Sequence, residues 1–381
     1  MAICATASAR TSGPRAAANP FPISFHYTGV RHVDFVSKSF RFADGDPTVV
    51  IGEIGVNHNG DPAIARRLVD VAIEAGVDVV KFQSFRSEKE ISRFAAKTPY
   101  QVETVAEAAN QLELCKALEL SGDVLKDMKA YCAARAMPFL CTAFEFDSVD
   151  LLVDELKVEA IKIASSEVTN LPFLRYIGSR KVGAILSTGA STLAEVGLAV
   201  DALRGGGCPE IVLLHCVSSY PAPAVDLNLR AMHTLRTAFG LPVGFSDHSE
   251  GFAAAIAAAA LGAVAIEKHF TLDRAMPGPD HRASIEPGEL RQLVDGVRFA
   301  GRALGDGIKR PVASELPNLT LIRKSLVAVG ALRQGTRLTR AMIDIKRPAS
   351  GIDPGDLDKV IGRTLRRDVE DDEPIAWDSL A

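Results

Sequence analysis

The 381-residue sequence contains no apolar run approaching the ~20 residues that a membrane-spanning helix requires. Its longest candidate, Phe252–Ala265, is alanine-rich and too short. No apolar h-region lies near its start, which argues against a secretory signal. There is no large excess of either charge: the net charge of -4 makes nucleic acid a poor partner. The six cysteines, Cys4, Cys115, Cys132, Cys141, Cys208 and Cys216, include no C-x-x-C pair. Several fall in apolar strand or helix patterns, so reduced thiols in a cytoplasmic protein are expected. No acidic residue precedes Asp34. The opening MAICATASARTSGPRAAANP shares its Ala, Ser and Arg bias with organelle transit peptides, but we read residues 1–40 as a disordered leader.

What is present suffices for a sizeable core, with 47% hydrophobic and 24% charged residues. The length suits one large α/β domain with a small appendage. From Thr48 the pattern is regular. Val49–Gly55 is an apolar run without alternation, as expected of a strand buried on both faces. Asp61-Pro62 reads as an N-cap with proline in the first turn, Ala63–Ala75 has a helical period, and Gly76 closes it. Further strands are expected at Val77–Gln83, Phe139–Ala143, Ala160–Ala164, Ala184–Gly189, Ile211–Cys216, Val243–Asp247 and Ala265–Phe270. Helices are expected around Leu112–Ala136 and at Ser148–Glu155, Leu171–Ser179, Thr192–Arg204, Asn228–Phe239, Ser249–Leu261 and Pro287–Leu304. The polar stretch Ser84–Asn110 exceeds ordinary loop length and reads as a lid or substrate loop. Phe40–Phe42 reads as a short hairpin arm.

Eight βα units predict an α/β fold, a (β/α)8 TIM barrel over residues 41–305, in preference to an open doubly wound sheet. A linker, 306–320, leads to a small β-rich domain, 321–381. At roughly 60 residues that domain is near the lower limit for independent folding, so it is expected to lean on a partner surface.

A barrel builds its site at the carboxyl ends of its strands. Those ends supply Glu53, Lys81, Gln83, Thr142, Lys162, Ser165, Glu167, Ser187, Ser218, Tyr220, Ser246, Asp247, His248, Glu267 and His269. A buried lysine needs an anionic partner. Lys81 and Lys162, with Ser165, Ser187 and Ser246, therefore predict a cradle for a compact, multiply charged phosphate or carboxylate. A Schiff-base lysine is the competing use. His248 and His269 end adjacent strands and form the expected metal pair, with Glu53 and Asp247 within reach; two imidazoles leave positions open for substrate oxygens. Manganese is the preferred ion, with magnesium or cobalt as alternatives. His215 is the weaker candidate.

The segments EIGVNHNG (Glu53–Gly60), VVKFQ (Val79–Gln83), KIASSE (Lys162–Glu167), LSTGAS (Leu186–Ser191), HCVSSYP (His215–Pro221), FSDHSEG (Phe245–Gly251) and EKHFTLDRAMPGPDH (Glu267–His281) resemble the sialic acid synthase family. KSLVA (Lys324–Ala328) and IKRP (Ile345–Pro348) are similar to that family's C-terminal antifreeze-like (SAF) domain. The resemblance implies condensation of phosphoenolpyruvate with the open-chain aldehyde of an N-acylated hexosamine, giving a nine-carbon keto acid. It implies phosphoenolpyruvate contacts at Lys81, Thr142, Lys162, Ser165, Ser187 and Ser246, metal ligands at His248 and His269, and sugar contacts at Gln83, Glu167, Tyr220 and Asp280. Glu53 is the expected base. Arg347 is implied to reach the sugar in a neighbouring subunit of a domain-swapped homodimer. Ser218 and Leu321 depart from the family pattern. They leave the sugar open among N-acetylmannosamine, a 2,4-diacetamido analogue and a 6-phosphate form. A pyruvate-dependent metal aldolase, a synthase of eight-carbon acids and a non-catalytic carbohydrate-binding barrel are the alternatives.

Overall fold

Eight short aliphatic runs form parallel strands that close into a barrel. The computed structural model describes residues 35–36, 40–43, 45–97 and 110–381. Most of the expected leader and the middle of the long polar stretch lie outside the described residues. The strands are β1 (Val49–Gly55), β2 (Val79–Ser84), β3 (Phe139–Ala143), β4 (Ala160–Ile163), β5 (Gly183–Ser187), β6 (Ile211–Cys216), β7 (Val243–Asp247) and β8 (Ala265–His269). Pairing of Ala265 with Val49 and of His269 with Glu53 joins β8 to β1 and closes the ring.

Helices return the chain after each strand: α1 (Pro62–Ala75), α2 (Gly122–Ala133), α3 (Phe146–Asp150), α4 (Leu171–Ser179), α5 (Leu193–Gly206), α6 (Ala231–Phe239), α7 (Ala253–Ala260) and α8 (Pro287–Leu304). Their ends follow from local chemistry. Asp61 caps α1 by accepting from the Ala63 amide, and Gly76 closes it at φ 80; such a cap contributes about 1 kcal/mol. Thr192 and Glu195 form a reciprocal capping box on α5. A glycine of α8 allows close approach to α7: a Cβ on Gly296 would lie 2.4 Å from Ile256. The single helix expected around Leu112–Ala136 is in fact two, Gln111–Lys116 and α2. The break falls where the Ser121 side chain caps α2 by accepting from the Val124 amide. α3 runs into a π-helical turn, Leu151–Glu155.

Side chains alternate across each strand. Outward residues such as Val50, Phe82, Leu213 and Ile266 pack under the helices. Inward ones, including Ile51, Val79, Leu140, Ile185 and Leu214, fill the barrel. Phe42 joins this inner cluster and is fully buried. It belongs to the arm foreseen at Phe40–Phe42, where Phe35–Val36 pairs antiparallel with Arg41–Phe42.

A second unit begins at Gly305. Its antiparallel pair, β9 (Ser325–Ala328) and β10 (Ile343–Lys346), packs over a core of its own that includes Leu326, Ile343, Ile352, Leu365 and Ile375. Among the described residues no helix is long and apolar enough to cross a membrane.

Candidate active site

The alternation that fills the barrel's base with aliphatic side chains places charged ones at its mouth. One step of two residues beyond Ile51, Val79, Leu140, Ala160, Ile185 and Ala265 stand Glu53, Lys81, Thr142, Lys162, Ser187 and Glu267. With Ser246, His248 and His269 they line a cavity of ≈ 310 Å³. A register shift between Glu53 and Gly55 lets β1 turn away here. Gly55 sits at φ +55, where a Cβ would also press within 3.2 Å of the His269 ring.

The floor is a desolvated charge network. Lys81 Nζ lies 3.3 Å from both Glu53 and Glu267, and donates to Thr142 Oγ1 at 3.2 Å. Lys162 Nζ lies 3.8 Å from Glu267 and donates to Ser187 Oγ at 2.7 Å. Ser246 Oγ donates to Glu267 at 2.9 Å, and Gln83 donates to Glu53 at 2.7 Å. Burial pushes Glu267 up, but Lys162 and Lys81 outweigh it and hold the carboxyl down at about 2. Burial pushes Glu53 up to about 7 against the pull of Lys81. Burial disfavours charge on Lys81 too, yet Glu267 and Glu53 hold its pKa above the ordinary value. Lys162 is brought down to about 8 by burial, with Lys81 adding to the fall and Glu267 opposing it. One carboxylate oxygen each of Glu53 and Glu267 is buried without a hydrogen bond. Two lysines thus face one firmly ionised acid, Glu267, and a Glu53 raised toward neutrality, which leaves positive charge for an incoming anion.

Beside this floor stand the two histidines, ring centroids 5.8 Å apart. His248 Nδ1 is 2.7 Å from the Val217 carbonyl, which can only accept; the ring therefore carries its proton there and turns the Nε2 lone pair inward. That lone pair accepts from Tyr220 Oη at 3.1 Å. Burial lowers His248 to about 4, and burial with the neighbouring His248 takes His269 well below the ordinary range. Both rings are neutral. His269 Nδ1 is buried with no hydrogen-bond partner among the described residues, 3.8 Å from Asp280. Neutral imidazoles with a free lone pair are the donor set of a divalent-metal site. Among the described residues no cluster of three His, Cys, Asp or Glu side chains is placed to hold a metal, so the pair would have to share its ion with non-protein oxygens.

Of the residues expected from sequence, Gln83, Ser165, Ser218, Tyr220 and Asp280 also line the cavity; Glu167 does not. Glu167 is buried and accepts from Ser166 at 3.0 Å and Asn170 at 2.7 Å. Arg347 belongs to the second unit, where it is exposed. Asp247, expected within reach of the metal pair, instead faces outward. It accepts from the Ser249 amide at 2.8 Å and pairs with Lys268 at 3.0 Å. His215 faces outward as well, 2.8 Å from the Leu227 carbonyl. The residue under-read in the sequence is Glu267, the hub of the floor. Its signal was parity: it lies two residues before His269 on the same strand face.

Barrel, lysine–carboxylate floor and neutral histidine pair define a class: (β/α)8 proteins with a charged site at the carboxyl end of the barrel. Residues 68–309 match the NeuB family, and residues 323–381 match the SAF domain. N,N'-diacetyllegionaminic acid synthase of Campylobacter jejuni is 43% identical over 330 residues, spanning 86% of this chain and 98% of that protein. Human N-acetylneuraminate-9-phosphate synthase is 34% identical, spanning 86% of this chain and 91% of that one. The crystal structure of N-acetylneuraminic acid (sialic acid) synthetase from Leptospira borgpetersenii superimposes with a TM-score of 0.66 at 32% identity, covering 75% of this chain and 95% of that one. The chain belongs to the NeuB family and is an enzyme of the sialic acid synthase type.

Proposed function

We infer that the barrel condenses phosphoenolpyruvate with the open-chain aldehyde of an N-acylated hexosamine, releasing phosphate and a nonulosonic acid. The observation that carries this reading is the floor: Lys81 and Lys162 share Glu267 with hydroxyls around them, next to a neutral histidine pair. Among acceptors, the 43% identity with a diacetyllegionaminic acid synthase favours a diacetamido sugar over N-acetylmannosamine.

Lys81, Lys162, Ser187, Ser246 and Thr142 bind the phosphate and carboxylate of phosphoenolpyruvate and orient its C3 toward the aldehyde. His248 and His269 would hold a divalent cation, manganese first, whose Lewis acidity would make the aldehyde carbon electrophilic. As C3 forms the new bond, positive charge at C2 is stabilised by Glu53 and Glu267. Glu53, poised near neutrality, takes one proton of the water that adds to C2; a proton is delivered in turn to the former aldehyde oxygen, which becomes a hydroxyl. The tetrahedral intermediate expels phosphate by C–O cleavage, its charge offset by the two lysines. Gln83, Tyr220 and Asp280, which line the cavity, are the proposed sugar contacts.

We further propose a homodimer in which Arg347 from the second unit of one subunit serves the barrel of the other. The exposed apolar side chains of the second unit, Val312, Leu316, Leu321 and Ile322 among them, support a docking surface there. The free thiols of Cys115, Cys132, Cys141, Cys208 and Cys216 suit a reducing, cytoplasmic setting.

The decisive experiment places oxygen-18 in the C2–O–P bridge of phosphoenolpyruvate. The label should leave with phosphate; label retained in the keto acid contradicts C–O cleavage. His269→Ala should abolish turnover together with its divalent-metal dependence, and an unaffected variant would remove the metal assignment.

A further inference from the structure

The cavity is sorted by charge along its depth. Its cations, Lys81 and Lys162, stand at the inner end and are both tied to Glu267. Among the described residues that line it, the outer wall carries Glu90 and Asp280 and no lysine or arginine. Glu90 ends the helical turn Ser87–Glu90. Its neighbours in that turn are paired away from the cavity, Glu88 with Lys116 and Lys89 with Asp147. Glu90 has no ion pair among the described residues. Glu90 keeps an exposed surface; desolvation of the rest of the side chain, with Glu167, Glu145 and Glu119 adding to the rise, pushes it up to about 7, so it is ionised at pH 8. Cys115, on the same wall, is pushed up to about 12 by burial, then by Glu90 and Asp280. Among the described lining residues of one subunit, the outer wall therefore carries carboxylates with no cation beside them; Arg347 of the partner subunit is expected at the sugar's N-acyl group rather than at its terminal carbon.

Direction follows from the chemistry. The acceptor's aldehyde carbon must meet C3 of phosphoenolpyruvate beside the histidines, so the rest of the sugar extends outward, toward Glu90. A phosphate on its terminal carbon would enter a wall of carboxylates.

We propose that Glu90 is a specificity-determining residue that restricts the acceptor to an uncharged, unphosphorylated N-acylated sugar. It repels a terminal phosphate and accepts hydrogen bonds from the hydroxyls or amide N–H groups of a neutral acceptor. The proposal rests on the condensation reading above.

The test uses the full-length protein at pH 8, where Glu90 is ionised, with phosphoenolpyruvate and Mn²⁺, and follows keto-acid formation. The acceptors are N-acetylmannosamine, its 6-phosphate and 2,4-diacetamido-2,4,6-trideoxymannose. The wild type should favour a neutral sugar by on the order of 100-fold in kcat/KM, the scale of a like-charge juxtaposition. Glu90→Gln should narrow that ratio by roughly tenfold, mainly through the KM for the phosphorylated sugar, and Glu90→Lys should narrow it further. Wild-type preference for the 6-phosphate, or an unchanged ratio in both folded variants, overturns the proposal. No turnover with any of the three sugars sinks the condensation reading itself, and this proposal with it.

Discussion

Glu267 shows how one buried residue can set the state of its neighbours. It is 3% exposed, yet it is held ionised by two lysines that would otherwise be buried cations with too little compensation. Glu267→Gln should therefore cost roughly 3–5 kcal/mol at neutral pH, the range for breaking a buried ion pair. The deficit should shrink toward pH 9, as Lys162 gives up its proton. Thermal melts of both proteins across that range check this; a pH-independent deficit would contradict the role. Acid should act through histidine. His58, whose Nδ1 accepts from the Gly60 amide at 3.0 Å, is lowered by burial to about 4. A depressed pKa means its stabilising effect is complete above its unfolded value of about 6.5 and is lost as pH falls through about 4. His58 alone should account for roughly 3 kcal/mol over that window. Glu53, raised to about 7, works in the opposite direction, gaining stability as pH falls through that value. Comparing the pH slope of stability for wild type and His58→Gln isolates the histidine contribution; parallel slopes would remove it.

At the level of elements, strand parity decides what each polar residue does. Ser246 and His248 face in while Asp247 between them faces out; Glu267 and His269 face in while Lys268 faces out. Asp247 and Lys268 are register partners on β7 and β8 and form an ion pair that is almost wholly buried. This pair lies behind the very positions that present the histidines. Lys268→Met would strand the Asp247 carboxylate and should lower stability by roughly 3–5 kcal/mol, while Asp247→Leu/Lys268→Met should recover most of it. A double-mutant cycle by denaturant unfolding measures the coupling, and additive losses would deny it. Both motifs were visible in the sequence as polar clusters at strand ends. Which member of each faced the cavity was open to a period-of-two count from Ile51 or Ala265, and Asp247 shows the error made without it.

For the whole molecule, the proposed exchange of second units makes each site a joint product of two chains. Mixing Lys81→Ala with Arg347→Ala should then restore activity, because a mixed dimer has one site free of both changes. Full exchange should give roughly a quarter of wild-type turnover per subunit by random pairing of two-fold dimers. Two inactive variants that stay inactive after subunit exchange would exclude the arrangement. Most of the architecture was legible beforehand. Aliphatic runs spaced by helical periods and cap signals such as Asp61-Pro62 and Gly76 belong to local chain chemistry. β3, β6, β7, α4 and α8 accordingly begin and end where their patterns do. The break between Gln111–Lys116 and α2 was not legible, because an apolar period carries across a serine cap.

The sequence by itself determined the order of strands and helices, the polar character of every strand end, and a metal pair at His248 and His269 as a candidate. These depend on periodicity and side-chain type, which neighbours along the chain already express. Only the tertiary structure decided that Glu267 unites Lys81 and Lys162, that Asp247 pairs with Lys268, and that Glu90 lines the same cavity. Those relations join residues far apart in sequence, and barrel closure with its register sets their distances.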